Sequence, residues 1–162
     1  MKVCVCCLSA TTQGLYPIHS LLTTHYSLQV FLMTIFSKII AGEIPCYKVA
    51  ENDQFLAFLD IFPSVKGHTL VVPKLEVDRL FDLPDNYLDG YLTFCKPIAN
   101  AILSAFGADR VNIITIGFEV PHAHIHLVPM NGMGDVDILS GKMKMSGEEL
   151  KAVQEKILSC MG

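Results

Sequence analysis

The sequence predicts an α+β fold: an antiparallel sheet of about five strands, one long helix, and short helices at the two ends of the domain. Two observations carry this. The strand-like runs come in groups joined by short turn chemistry, which makes hairpins rather than βαβ units. A long helical period occurs once, over Asp85–Phe106, and it separates three strand signals from two more.

From Met33 onward each element has a local reason. Thr34 can cap a short helix over Ile35–Ala41, whose apolar stripe is Ile35, Phe36, Ile39 and Ile40, and Gly42 suits its stop. Strands are expected at Tyr47–Glu51 and Phe55–Asp60, split by the turn pair Asn52-Asp53. After a loop at Phe62–Gly67, a third strand runs His68–Val72 and stops at Pro73. In the long helix Leu88, Tyr91, Leu92, Cys95, Ala99, Ile102 and Phe106 recur at helical steps. Pro84 sits near its start, Pro97 should bend it, and Gly107 ends it. Strands follow at Arg110–Ile116 and His122–Val128. Met130–Met145 is an irregular connection, and the capping-box pattern Ser146–Glu149 opens a last helix to Cys160.

Composition narrows the function. The chain has 162 residues, enough for one self-sufficient core, and a net charge of −4 with no run of Lys or Arg. That weighs against DNA or RNA as partner, while a local pocket can still take a small nucleotide. The six cysteines do not form a spaced disulfide framework: Cys4, Cys6 and Cys7 crowd the start and the others are isolated. A reducing, cytoplasmic setting is the simpler expectation. Residues 1–32 differ from the rest, with one charge (Lys2) and no clear period. They lack the clean apolar run of a signal peptide or of a membrane span, which needs about 18 residues. The expectation is an extension outside the domain, a true start at Met33, a domain over 33–162, and no membrane partner.

The chemistry concentrates in Pro121-His-Ala-His-Ile-His-Leu-Val-Pro129. On a strand, side chains alternate, so His122, His124 and His126 share one face and Ala123, Ile125 and Leu127 point to the core. Three uses are open for such a row. A neutral imidazole can attack phosphorus and form a labile adduct, its neighbours fixing its tautomer and donating to phosphate oxygens. Imidazoles can bind zinc or copper. They can also be satisfied structural residues, a reading that weakens with three at strict two-residue spacing. From Met33 on, the one further histidine is His68, which opens the third strand.

These segments together resemble the histidine triad (HIT) family. Residues 122–128 match its His-φ-His-φ-His-φ-φ motif at every position, φ being apolar. Residues 34–45, 55–63 and 67–74 resemble the family's first helix and nucleotide-binding strands. The resemblance implies a HIT-like fold, a two-fold homodimer through the long helix (Tyr91, Leu92 and Cys95 being candidates), and a purine-nucleotide-derived ligand. It implies His124 as nucleophile, His122 and His126 as positioning and phosphate-contacting residues, and His68 as the outlying histidine of the pocket. Asp60 would accept from the ribose hydroxyls, although it can equally cap the turn before Pro63. Ile35, Phe36, Ile39, Phe58 and Ile61 would clamp the base, and Gly117 and Glu119 lie in the phosphate loop. No cofactor is required at the nucleophile.

The chain departs from the family in places. Thr34 and Ser37 stand where many bacterial relatives carry the cysteines of a structural zinc site, so no metal is expected. Phe118 replaces a common Gln, and the stretch Asn112–Gly117 is shortened. His126 argues against the uridylyltransferase branch, which has Gln there. The first functional expectation is a hydrolase of nucleoside phosphoramidates, nucleotidyl esters or dinucleoside polyphosphates through a nucleotidyl-His124 intermediate. The alternatives are a nucleotide-binding or signalling module with vestigial catalysis, and a histidine metal site.

Overall fold

The computed structural model describes residues 33–136 and 141–162. The expected extension 1–32, with its Cys4/Cys6/Cys7 tip, lies outside the described residues. Helix α1 spans Ile35–Ile40, strand β1 Lys48–Glu51, β2 Phe55–Leu59 and β3 Thr69–Pro73. The long helix α2 covers Asp85–Phe106, followed by β4 Arg110–Ile114, β5 Ile125–Met130 and α3 Gly147–Leu158. The five strands form one antiparallel sheet in the order β1-β2-β3-β5-β4.

The sheet is buried on both faces at its centre, and the alternation of β2, β3 and β5 decides what goes where. Phe55, Ala57, Leu59, Val71, Ile125 and Leu127 pack with Tyr91, Ile98 and Ile102 of α2 and Leu150, Val153 and Ile157 of α3. On the opposite face Leu56, Phe58, Leu70 and Val72 pack under Phe36 of α1. Leu70 is the register partner of His126, so the histidines share the α1 face. That face is where a site can form, because one short helix covers it incompletely.

The helix ends follow their local chemistry. Thr34 accepts from the Ser37 backbone N–H at the start of α1. Ser146 and Glu149 make the reciprocal capping box of α3. Gly107 takes the left-handed conformation that closes α2. Gly67 needs to be glycine twice over: its φ is +94°, and a Cβ would lie 2.6 Å from the Phe106 ring. This close approach holds the β2–β3 loop against the end of α2 one residue before His68.

Several sequence expectations are corrected. His68 stands one residue before β3, and β5 begins at Ile125, so His122 and His124 precede the hydrogen-bonded strand. The alternation of faces nonetheless extends back through them: Ala123 is in the helix-side core, and its N–H donates to Val77 O at 2.6 Å. On α2 the buried stripe is Tyr91, Cys95, Ile98, Ala101, Ile102 and Ala105. Tyr91, Cys95 and Ile102 lie where the spacing places them, while Leu92 and Ala99 fall on the flank of this seam and Ile98, Ala101 and Ala105 complete it. Tyr91 and Cys95 are each 2 % exposed inside the core and cannot form a subunit surface, whereas Leu92 is 58 % exposed. The helix continues through Pro97, which lies on its exposed side and gives no N–H to the Thr93 carbonyl.

Candidate active site

A pocket of about 280 Å³ opens on the α1 face of the sheet. Ile35 and Phe36 of α1 form one wall, and Asp60, Ile61 and Phe62 after β2 form another. The β4–β5 loop closes a third side with Ile116–Val120, and His68, Leu70, His124 and His126 line it from the sheet, with Lys142 at its edge. Of the expected site residues, ten are brought together: His68, His124, His126, Ile35, Phe36, Asp60, Ile61, Gly117 and Glu119 line the pocket, and His122 adjoins it from behind.

Three expectations change here. Ile39 and Phe58 do not line the pocket; they pack behind Phe36, whose ring meets Phe58 edge-on at 5.8 Å. His122 is fully buried and its two ring nitrogens are both engaged by the protein, so it has no free donor for phosphate.

The hydrogen-bond directions around the histidines follow from groups that can play one role only. His122 Nε2 lies 2.8 Å from Pro73 O, a carbonyl, so Nε2 carries the proton. In the neutral ring Nδ1 is then an acceptor, and Thr34 Oγ1 lies 3.0 Å away. Ser37 Oγ spends its proton on the Glu76 carboxylate, which leaves Thr34 as the donor to His122. His124 Nδ1 lies 2.6 Å from the His122 carbonyl and must donate to it. The other nitrogen of His124, Nε2, is therefore left with its lone pair, while the Phe36 ring packs edge-on against the imidazole at 5.1 Å. His68 Nδ1 accepts from the Ser64 N–H at 3.3 Å, so its Nε2–H donates to His126 Nδ1 at 2.8 Å. His126 in turn keeps its proton on Nε2. The row thus presents a nucleophilic nitrogen on His124 beside a donor N–H on His126.

Burial disfavours the charged form of three of these rings, His68, His122 and His126. Burial pushes the His126 imidazole down to about 3, with the neighbouring His68 and His124 rings adding to the effect. Burial also lowers His68, against the opposing pull of Asp60, and lowers His122, against the Pro73 carbonyl and Glu76. Asp60 accepts the Phe62 N–H at 2.9 Å through Oδ1, so the turn-capping reading is realised, and it also lines the pocket. Asp60, His68 and His126 each offer a ligand atom within 4.8 Å of the others, a group able to hold a cation. A cation there competes with the hydrogen bond the two rings make to each other.

Residues not assigned from the sequence also line the pocket: Phe62, Leu70, Ile116, Phe118, Val120 and Lys142. Leu70 was legible, being two residues after His68 on the same face. Phe118 is 94 % exposed at the rim. Lys142 lies in the irregular connection before α3 and carries no local signal.

Residues 41–133 match the HIT domain family. Among curated relatives, a HIT-like protein of Methanocaldococcus jannaschii is 44 % identical over 110 residues, covering 64 % of this chain and 84 % of that protein. The adenosine 5'-monophosphoramidase hnt1 of Schizosaccharomyces pombe is 37 % identical over 131 residues, 77 % of this chain and 96 % of that one. Among solved structures, a Hit-like protein of Bartonella henselae, described as involved in cell-cycle regulation, superposes with a TM-score of 0.67 at 31 % identity, over 78 % of this chain and 95 % of that one. The chain belongs to the HIT family, and its five-stranded antiparallel sheet with three helices is that family's fold.

Two outcomes test the network. Thr34→Val removes both the cap acceptor and the donor to buried His122, and should destabilise the fold by about 2–3 kcal/mol, while Thr34→Ser should keep most of the stability. Equal stability of all three proteins in urea unfolding would mean the bond is not made. The second outcome concerns pH. His126 titrates near 6.5 when unfolded and about 3 when folded, so between those values the unfolded chain binds more protons and stability falls as pH falls. At pH 5 this linkage amounts to about 2 kcal/mol, and His126→Gln should reduce the loss. Unfolding midpoints unchanged between pH 7 and pH 5 would contradict neutral burial.

Proposed function

We propose that this protein is a hydrolase acting on nucleotidyl phosphorus, with residues 33–162 as the working domain. The observation that carries the reading is the His124 tautomer: Nδ1–H is held by the His122 carbonyl, which leaves the Nε2 lone pair for attack. In the first step Nε2 bonds to the α-phosphorus and the bond to the leaving group breaks. The leaving group keeps the electron pair and takes a proton from water, while His126 Nε2–H donates a hydrogen bond to the phosphoryl oxygen. The imidazolium so formed is stabilised by the same carbonyl. In the second step water attacks phosphorus and gives up a proton to solvent, the P–N bond breaks with its electron pair returning to His124 Nε2, and the nucleoside monophosphate leaves with neutral His124 restored.

The substrates in view are nucleoside phosphoramidates, nucleotidyl esters and dinucleoside polyphosphates. The phosphoramidase activity in the name of the fission-yeast relative supports the first of these. The apolar wall of Ile35, Phe36 and Ile61 suits a purine, and Asp60 suits ribose hydroxyls. No cofactor enters these steps. The exposed Phe118 favours a second reading, a nucleotide-binding or signalling module with vestigial turnover, and single-turnover rates separate the two. We also propose a homodimer, with the open edge strand β4, where Ile113 is exposed, and the outward Leu92 of α2 as its surface.

His124→Ala should abolish turnover of adenosine phosphoramidate. His126→Ala, which removes one donor to the developing charge, should lower kcat by roughly 10²–10³. Mass spectrometry after a basic quench should find an AMP adduct on the peptide carrying His124, and full activity in folded His124→Ala would end the proposal. For the dimer, light scattering at micromolar concentration should give twice the chain mass, and Leu92→Glu should shift it toward monomer. A wild-type monomer would refute the pairing.

A further inference from the structure

We propose that Lys142 is the phosphate-binding cation of this pocket, held at rest by Glu119 and released to the phosphate of a bound nucleotide. The inference rests on the nucleotide reading and adds a residue to it.

The charge balance of the pocket motivates it. Among the described residues lining the pocket, Lys142 is the sole lysine or arginine, while Asp60 and Glu119 are carboxylates. The histidines do not supply the missing positive charge, because burial keeps His68 and His126 neutral. An incoming phosphate would meet two like charges and, without Lys142, only neutral donors such as His126 Nε2–H. Neutral donors hold an anion more weakly than a cation does.

Placement supports the same assignment. The segment bearing Lys142 is anchored on one side of the pocket by the Met143 N–H, which donates to Pro63 O at 2.7 Å. Its ammonium reaches the other side, where Nζ stands 3.4 Å from each Glu119 oxygen. The segment therefore crosses from the Asp60–Pro63 loop toward the Gly117–Glu119 loop, with the flexible lysine arm over the space between. The pair with Glu119 is long and wet, the side chains being 45 % and 77 % exposed. Such a pair is weak and readily exchanged for a better anion. The lysine charge also reaches the two rings below, where it further disfavours their protonation. Gly117, with φ +76° and open space where a Cβ would stand, leaves its backbone accessible beside the same anion.

Calorimetric titration of the full chain with AMP and, separately, adenosine tests this. Lys142→Gln should weaken AMP about tenfold and adenosine less than about twofold, because one charged contact to phosphate is lost. Lys142→Arg should stay within about threefold of wild type for AMP, since the charge is kept. Glu119→Gln should tighten AMP by about two- to fivefold by freeing the lysine, and that gain should vanish in the double variant. Lys142 is partly exposed and holds no buried partner, so its variants should fold; far-ultraviolet circular dichroism checks this. An unchanged AMP-to-adenosine affinity ratio in folded Lys142→Gln overturns the assignment while leaving the nucleotide reading intact. Failure of wild type to bind either ligand overturns both.

Discussion

The His122 peptide and ring hold the site together. The ring bridges the end of β3, through Pro73 O, to the cap of α1, through Thr34. The carbonyl of the same residue fixes the proton of His124. A shift of this one residue would move the apolar wall carried by α1 and the His124 ring together. Phe36 adds to the coupling, since its ring packs edge-on against both His122 and His124. The first histidine of the motif thus acts through structure, and the second and third face the ligand space.

Placing imidazoles beside the core has a chemical consequence. Removed from water, a charged ring loses hydration, and for His68 and His122 that loss outweighs the opposing pull of Asp60 and Glu76, while for His126 the neighbouring rings add to it. A neutral ring offers one donor N–H and one acceptor nitrogen. The arrangement needs every ring nitrogen to have a defined role, and a chain of single-role partners supplies that: Pro73 O, His122 O, the Ser64 N–H and Thr34 Oγ1. These partners are neutral groups that fix the tautomers of the rings.

Much of this was legible in the sequence because it is local. Hydrophobic period marks β2, β3 and α2, capping chemistry marks α1 and α3, and two-residue spacing puts His122, His124 and His126 on one side even where ladder bonds are absent. Glycine positions such as Gly107 and Gly67 follow from backbone freedom that few other residues share.

What the sequence by itself determined was the element order, the face carried by each histidine and the apolar set opposite them, since these depend on residues a few positions apart. Tertiary structure decided which of those residues face a ligand. His122 turned inward because Pro73 and Thr34, 49 and 88 residues away, engage its two nitrogens. Phe58 and Ile39 became backing rather than wall because Phe36 lies over them, and Leu92 fell outside the core because the sheet and α3 cover α2 along Tyr91, Cys95, Ile98 and Ile102 and leave its flank exposed. Lys142 joined the pocket through the Met143–Pro63 hydrogen bond, which links positions 80 residues apart. Contacts of that kind join distant segments, and no local period or spacing encodes them.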